Sequence, residues 1–350
     1  MTLAAFSRHL ALAVALALLS ALLVRMMIGA GVMDTPNRRK SHTMPTPKGG
    51  GVGIVAAFLA GMYVLYRYAE FSRLADPYFR GVILASVAIA VVAFLDDLRD
   101  WPFTVKLAAQ VLAALTAVAS GLYVTDYHMP YVGPWDLGWI GIAATVVWIL
   151  FATNAMNFID GLNGLAAGTA LVAAIFLAAI AEGQRGWFVY FAALLLAAGL
   201  AGFLPFNFPR ARIFMGDVGS QFCGFVLAVL GVAAARFGAI EMSFLLVPML
   251  LSGVLLDVAF TLARRVLAGQ RLTEAHRSHV YQVAERAGIP ADRVAMTHWA
   301  FAGFGGMCCL LFISAPADLK PFVPLLILIP QIGWLALVRQ RARQAGITTW

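Results

Sequence analysis

The sequence predicts an all-α, polytopic membrane protein of about eleven transmembrane helices, with the N-terminus outside and the C-terminus in the cytoplasm. Three observations predict it. First, 62% of the 350 residues are hydrophobic and 12% charged, with a mean hydropathy of +0.85. Soluble domains run near about 45–50% apolar and about 25% charged. Second, apolar runs of roughly 17–25 residues recur from end to end, each long enough to cross a ~30 Å hydrocarbon core. Third, the weak ten-residue alternation of a membrane β-barrel is absent, and a spanning chain without it must satisfy its backbone as helix.

The spans fall near residues 3–28, 50–67, 79–95, 104–123, 137–155, 164–181, 187–205, 218–235, 243–264, 297–314 and 322–338. The first could be taken for a secretory signal. It lacks a small-x-small cleavage site and carries Arg25 near its end, so it reads as a retained span. One integral-membrane domain then covers the chain, with no further domain expected after the last span. Cytoplasmic loops fall near 29–49, 96–104, 156–164, 206–217 and 265–296.

The connections alternate between two sides, and one side holds most of the 25 Lys and Arg. Positive-inside makes that side cytoplasmic. The net charge of +8 is thus explained by topology, and no nucleic-acid partner is expected. Cys223, Cys308 and Cys309 all lie within apolar runs, which excludes a disulfide framework and thiolate metal spacing.

The cytoplasmic side also carries every unusual polar cluster: "DTPNRRKSHTMPTPKGGG", "FLDDLRDWP", "NAMNFIDGLNGL", "FMGDVGS" and "EAHRSHVYQ". The first is a basic loop suited to anionic lipid headgroups. Asp96 and Asp97 close the third span, where the helix dipole disfavours acids, so the pair calls for a compensating cation. Lys106 and Gln110 share a face of the next helix, and Lys106 is placed to bind a phosphate. Alone, Lys106 would read as a snorkelling lysine. Asn154, Asn157 and Asp160 share another face, and the glycines after them let the backbone turn towards a ligand. Asp217 is a good N-cap by residue type, yet Arg210 and Arg212 precede it. A helix N-terminus with arginines suits an anionic ligand, and a carboxylate there suggests a metal joining the two. His276 and His279 flank Arg277, and without thiolates this set suits phosphate oxygens better than structural zinc.

Carboxylates and amides without thiolates favour Mg²⁺, with Mn²⁺ as a substitute. Mg²⁺ takes one or two protein carboxylates and fills its shell with water and substrate phosphates. Basic groups beside it point to phosphoryl transfer between a soluble and a lipid phosphate. The alternative is a proton- or ion-coupled transporter, which would need charge at mid-span depth. Asp257 is the candidate for that role.

"FLDDL" with the Lys106–Gln110 spacing, "NFIDGLNGL", "FMGDVGS" and "HRSHVYQ" in this order resemble the polyprenyl-phosphate N-acetylhexosamine-1-phosphate transferases, over nearly the whole chain. The resemblance implies transfer of a sugar-1-phosphate from a UDP-N-acetylhexosamine to undecaprenyl phosphate at a bacterial inner membrane. It also implies that Asp217 ligates Mg²⁺ with help from Asp160. Asp96 and Asp97 would lie beside the acceptor phosphate, one as the proposed base. Asn157 and Asp160 would line the nucleotide and diphosphate site, and His276, Arg277 and His279 would contact the donor. The short late motif is similar to enzymes that initiate O-antigen or other surface polysaccharides, and a homodimer is compatible with it. A phosphate monoester has a second pKa of about 6. Direct attack by the lipid phosphate and a covalent aspartyl route both stay open at the level of residue types.

Overall fold

The computed structural model describes residues 2–34, 44–68, 76–99, 101–129, 133–236, 243–271 and 276–347. Arg38, Arg39 and Lys40 of the basic first loop, and Glu274 and Ala275 of the late cluster, lie outside the described residues. Of the described residues 78% are helical.

Among the described residues, nine helical segments are long and apolar enough to cross a membrane. They include α1 (Leu3–Ala30), α2 (Gly51–Tyr68) and α3 (Asp76–Arg99). A tenth, α4 (Phe103–Ala119), is apolar but only 17 residues long. Then come α5 (Gly138–Phe158), α6 (Leu165–Gly183), α7 (Trp187–Asn207) and α8 (Asp217–Arg236).

The span expected near 243–264 is broken. A short α9 (Leu246–Leu250) ends at Leu251, and α10 (Ser252–Leu267) starts afresh. Pro248 is tolerated because it sits in the first turn of α9. Past the break, Gly253 lets α10 lean on α12 (Ala291–Ser314), where a Cβ would meet the Phe301 ring at 2.8 Å. A short α11 (Val280–Arg286) lies between α10 and α12. A 3₁₀ segment, Lys320–Ile327, leads into α13 (Leu328–Gln344), the two forming the last span. Two small antiparallel hairpins complete the elements. They pair β1 (Met33–Asp34) with β2 (Thr46–Pro47), and β3 (Asp126–Met129) with β4 (Gly133–Asp136).

The core sits around α8. Of its most apolar window 94% is buried, against 17% for α1, so α8 is the axis and α1 the periphery. Burial all round α8 explains why it is apolar on every face. The first turn of α2 packs directly on the first turn of α8. A Cβ on Gly51 would sit 2.3 Å from Gly219 Cα, so neither position admits a side chain. The backbone ties the same two loops together. Gly50 N–H donates to Phe214 O and Gly51 N–H to Met215 O, both at 2.9 Å, while Phe214 N–H donates to Pro47 O at 2.8 Å. The loops that carry the polar motifs are therefore gathered at the N-terminus of the central helix.

Candidate active site

The two aspartates at the end of α3 part company. Asp96 accepts the Trp101 N–H at 2.7 Å and the Lys106 ammonium at 2.9 Å, and is 5% exposed. Asp97 reaches across to α8, where its two oxygens accept the backbone N–H groups of Asp217 (3.2 Å) and Val218 (3.1 Å). The first N–H groups of a helix have no partner within it and carry the positive end of its dipole. Asp97 is thus the cap of α8, supplied from another helix. Lys48 lies 4.0 Å from it. These partners answer why two acids are tolerated at a helix C-terminus. Gly216 makes the contact possible. Its φ of +75° is left-handed, and a Cβ there would meet Asp97 Oδ2 at 2.6 Å.

Asp217, the first residue of α8, is the meeting point. Its carboxylate accepts from Lys106 Nζ (3.2 Å, α4), Asn157 Nδ2 (3.0 Å, α5) and Gln221 Nε2 (2.9 Å, one turn along α8). Asn157 also donates to Ser220 Oγ at 2.9 Å. An amide chain continues inward. Gln110 donates to Gln221 Oε1 at 2.9 Å, and Asn154 donates to Gln110 Oε1 at 2.7 Å. Amides both donate and accept, so the chain fixes the orientation of each member down to the Asp217 donors. Sequence reading missed Gln221, Ser220 and Lys48. The signal for Gln221 was visible: a polar residue four after Asp217 on an otherwise apolar helix.

Asp160 lies in the turn after α5 and faces the same cavity of about 480 Å³, with Asp96, Asp97, Lys106, Asn157 and Asp217. Burial, then the charges of Asp217 and Asp97, push its carboxyl up to about 8. The cavity therefore holds more negative charge than Lys48 and Lys106 compensate, and a divalent cation would relieve the excess. Among the described residues no cluster of three or more His, Cys, Asp or Glu forms a ready-made metal site. One or two carboxylates beside amides are what Mg²⁺ uses, so the residues present fit that ion.

Lys106 bridges Asp96 and Asp217 at 2.9 and 3.2 Å, itself a quarter exposed. Lys106→Met leaves two carboxylates facing each other. Breaking a buried pair costs about 3–5 kcal/mol, and partial exposure lowers the expectation here to about 2 kcal/mol. Thermal unfolding of the purified variant in detergent should show it.

The late motif divides in two. His279 is buried and its Nδ1 lies 3.0 Å from Asp257 Oδ1. Asp257 also accepts the N–H groups of Val280 (3.1 Å) and Tyr281 (2.9 Å), capping α11, and is 6% exposed. Tyr281 then donates its hydroxyl to Phe158 O at the end of α5, at 3.0 Å. Asp257 is thus taken up in docking α11 onto the bundle, which leaves the transport reading without its mid-span charge. His276 and Arg277 do not reach the carboxylate cavity; Gln282 and Glu285 of α11 line it instead. Burial and the neighbouring His279, Arg265 and Arg264 push His276 down to about 4, so it is neutral at pH 7. Arg212 also lies apart. Its guanidinium stacks over the Phe206 ring at 4.7 Å and lines neither cavity.

An all-helical membrane bundle with carboxylates, amides and a lysine converging in one polar cavity defines a multi-pass membrane enzyme. The pattern of glycosyl transferase family 4 matches residues 79–235, which contain Asp96, Asp97, Lys106, Asn157, Asp160 and Asp217. The chain is 28% identical over 307 residues to a probable undecaprenyl-phosphate N-acetylglucosaminyl 1-phosphate transferase of Bacillus subtilis, covering 87% of this chain and 84% of that one. It is 30% identical over 321 residues to the decaprenyl-phosphate N-acetylglucosaminephosphotransferase of Mycobacterium tuberculosis, covering 83% and 78%. It is 28% identical over 317 residues to a phospho-N-acetylmuramoyl-pentapeptide-transferase of Acetivibrio thermocellus, covering 84% and 88%. The chain belongs to the polyprenyl-phosphate N-acetylhexosamine-1-phosphate transferases of glycosyl transferase family 4.

Proposed function

We propose that the protein transfers an N-acetylhexosamine-1-phosphate from its UDP-sugar to undecaprenyl phosphate. A lipid phosphate oxygen bonds to the sugar-bearing phosphorus, the bond to the UMP oxygen breaks, and UMP leaves. The reaction takes place on the cytoplasmic face of a bacterial inner membrane, as the first membrane step of O-antigen or another surface polysaccharide. The observation that carries this reading is the convergence of Asp97, Asp160, Asp217, Lys106 and Asn157, from four helices and a turn, in one cavity.

Asp217 and Asp160 are the carboxylates placed to hold Mg²⁺, which would neutralise the charge that develops on the donor diphosphate. Lys106 and Lys48 bring positive charge for the incoming phosphates. Asn157 fixes Asp217 and presents an amide edge to the cavity. Both oxygens of Asp97 accept from the α8 backbone, which suits a positioning carboxylate better than a proton acceptor. A lipid phosphate that is already largely dianionic at neutral pH needs no strong base. These contacts favour direct attack over a route that starts from a free Asp97.

The test uses the purified chain in detergent with undecaprenyl phosphate, Mg²⁺ and a panel of UDP-N-acetylhexosamines. UMP release should require both substrates and stop with chelator. A folded protein that releases no UMP with any donor would overturn the assignment.

Asp160 also gives a signed pH dependence. Its folded-state carboxyl is raised from 3.8 to about 8, so the metal-free protein keeps a proton that the unfolded chain gives up. The corresponding stability is fully present below 3.8, falls progressively above it and is gone once pH passes about 8. Asp160→Asn removes that loss. The variant should melt at least about 5 °C above wild type at about pH 8.5 without metal, and level with it at about pH 3. Differential scanning fluorimetry in detergent reads both.

A further inference from the structure

Asp217 and Asp160, the two carboxylates placed to hold a cation, are fixed in different ways. Asp217 accepts from the side chains of Lys106, Asn157 and Gln221. Among the described residues no donor reaches the Asp160 carboxylate, so its place is set by the backbone of the turn that carries it. That turn ends at Gly164, the left-handed cap of α6 (φ +74°). Both backbone groups of Gly164 are taken by side chains from other helices. Its N–H donates to Asn207 Oδ1 at 2.7 Å, and its carbonyl accepts the Trp299 indole N–H at 2.9 Å. Asn207 closes α7 and is buried, and Trp299 lies in α12. Asn207 Nδ2 donates in turn to Ile213 O at 2.9 Å, in the loop that leads to Asp217. One amide therefore joins the fourth residue after Asp160 to the fourth residue before Asp217. Asn163 adds a second tie, donating to Pro209 O at 3.2 Å. Packing leaves the turn little play. A Cβ on Gly164 would meet the Phe208 ring at 2.6 Å, one on Gly168 would overlap the Trp299 indole, and the Phe208 and Trp299 rings lie 4.7 Å apart between centroids.

We propose that Asn207 and Trp299 are positioning residues: they hold the Gly164 turn, and through it they set where Asp160 stands relative to Asp217. The inference rests on the reading that these two carboxylates take a divalent cation. Mg²⁺ demands near-ideal geometry at short metal–oxygen distances, so displacing one carboxylate weakens its binding. Groups that orient a metal ligand without touching the metal are worth about 10–100-fold in affinity. Asp217 has donors of its own, so slack in the turn falls on Asp160. Asn207 lines the carboxylate cavity. Trp299 lines neither that cavity nor the larger one, about 1180 Å³, bordered by Arg264, Arg286, Arg339 and Arg343. Trp299 separates positioning from contact: what it does to the cation, it does through the turn.

The test is electron paramagnetic resonance of Mn²⁺ titrated into the full purified chain with UDP-N-acetylglucosamine, at a temperature where thermal melting shows each variant folded. Trp299→Phe keeps an aromatic ring against Gly168 and Phe208 and loses the indole N–H. It should bind Mn²⁺ about tenfold more weakly than wild type. Asn207→Ala frees Gly164 N–H and Ile213 O together and should bind it about 50-fold more weakly. Ser20→Ala removes a buried 2.8 Å hydrogen bond to Gly199 O, between α1 and α7 and away from the cavity lining. It controls for lost stability, and its Mn²⁺ binding should stay within about twofold of wild type. Should Asn207→Ala fail to fold, Trp299→Phe decides alone. Wild-type Mn²⁺ binding in Trp299→Phe, or equal losses in Trp299→Phe and Ser20→Ala, would overturn the inference and leave the cation site standing. A rise confined to the KM for the UDP-sugar in Asn207→Ala, with Mn²⁺ binding unchanged, would make Asn207 a donor contact and overturn it as well. A wild type that binds no Mn²⁺ removes the cation reading, and the inference with it.

Discussion

Asp217→Asn is expected to lower UMP release by about 10³-fold or more while the protein stays folded. The side chain keeps its shape, so packing against α4 and α5 is preserved, but two things change. The position loses the charge that draws Lys106, Asn157 and Gln221 together. One oxygen also becomes an NH₂ group that faces donors and can accept from none of them. With Asp217 neutral, Lys106 keeps its ion pair with Asp96, and the cavity loses the carboxylate best placed for a cation. Steady-state UMP release across a Mg²⁺ titration tests this. The expected pattern is a fall in kcat that added Mg²⁺ does not restore, with a melting temperature within a few degrees of wild type. Activity within about tenfold of wild type would contradict the role given to Asp217.

The second large effect is expected from Asp97→Asn, and its signature differs. Asp97 accepts two N–H groups from the first turn of α8. An asparagine has one acceptor oxygen, so one buried N–H is left facing an amide N–H₂. An orphaned buried donor costs about 1–3 kcal/mol, which should appear as a drop in thermal stability. The same slack moves Asp217 and Gly216, which Asp97 touches, so activity should fall by about 10²-fold. A positioning carboxylate and a general base then separate in the pH–rate profile. If Asp97 positions α8, the variant's kcat falls at every pH and the profile keeps its shape. If Asp97 were the base, its limb of the profile would vanish.

Most of this site could be read from residue types at fixed spacings. Asp96 and Asp97 were conspicuous because acids at a helix C-terminus need compensation, and Lys106, the α8 N-terminus and Lys48 provide it. Asn154, Asn157 and Asp160 were conspicuous because so much amide and acid chemistry follows an apolar run. The spans were legible for the same reason that the membrane imposes them: length and hydropathy. The break at Leu251 was not, because the run from 243 to 264 is apolar on both sides of it and only Pro248 and Gly253 mark the change. Arg212, His276 and Arg277 were placed by charge alone. Charge does not say which way a side chain turns, and Arg212 lies over Phe206 while His276 and Arg277 face the arginine-lined cavity. Asp257 was read as a charge at membrane depth. Its partners, the N–H groups of Val280 and Tyr281, lie more than twenty residues on and cannot be paired with it from spacing.

We propose that the carboxylate cavity, built on Asp217, takes one divalent cation. Electron paramagnetic resonance of Mn²⁺ titrated into the purified chain with a UDP-sugar tests it most directly. One site per chain is expected, competed by Mg²⁺, lost in Asp217→Asn and retained in His276→Ala. Mn²⁺ bound equally well by Asp217→Asn, or lost in His276→Ala, would contradict it.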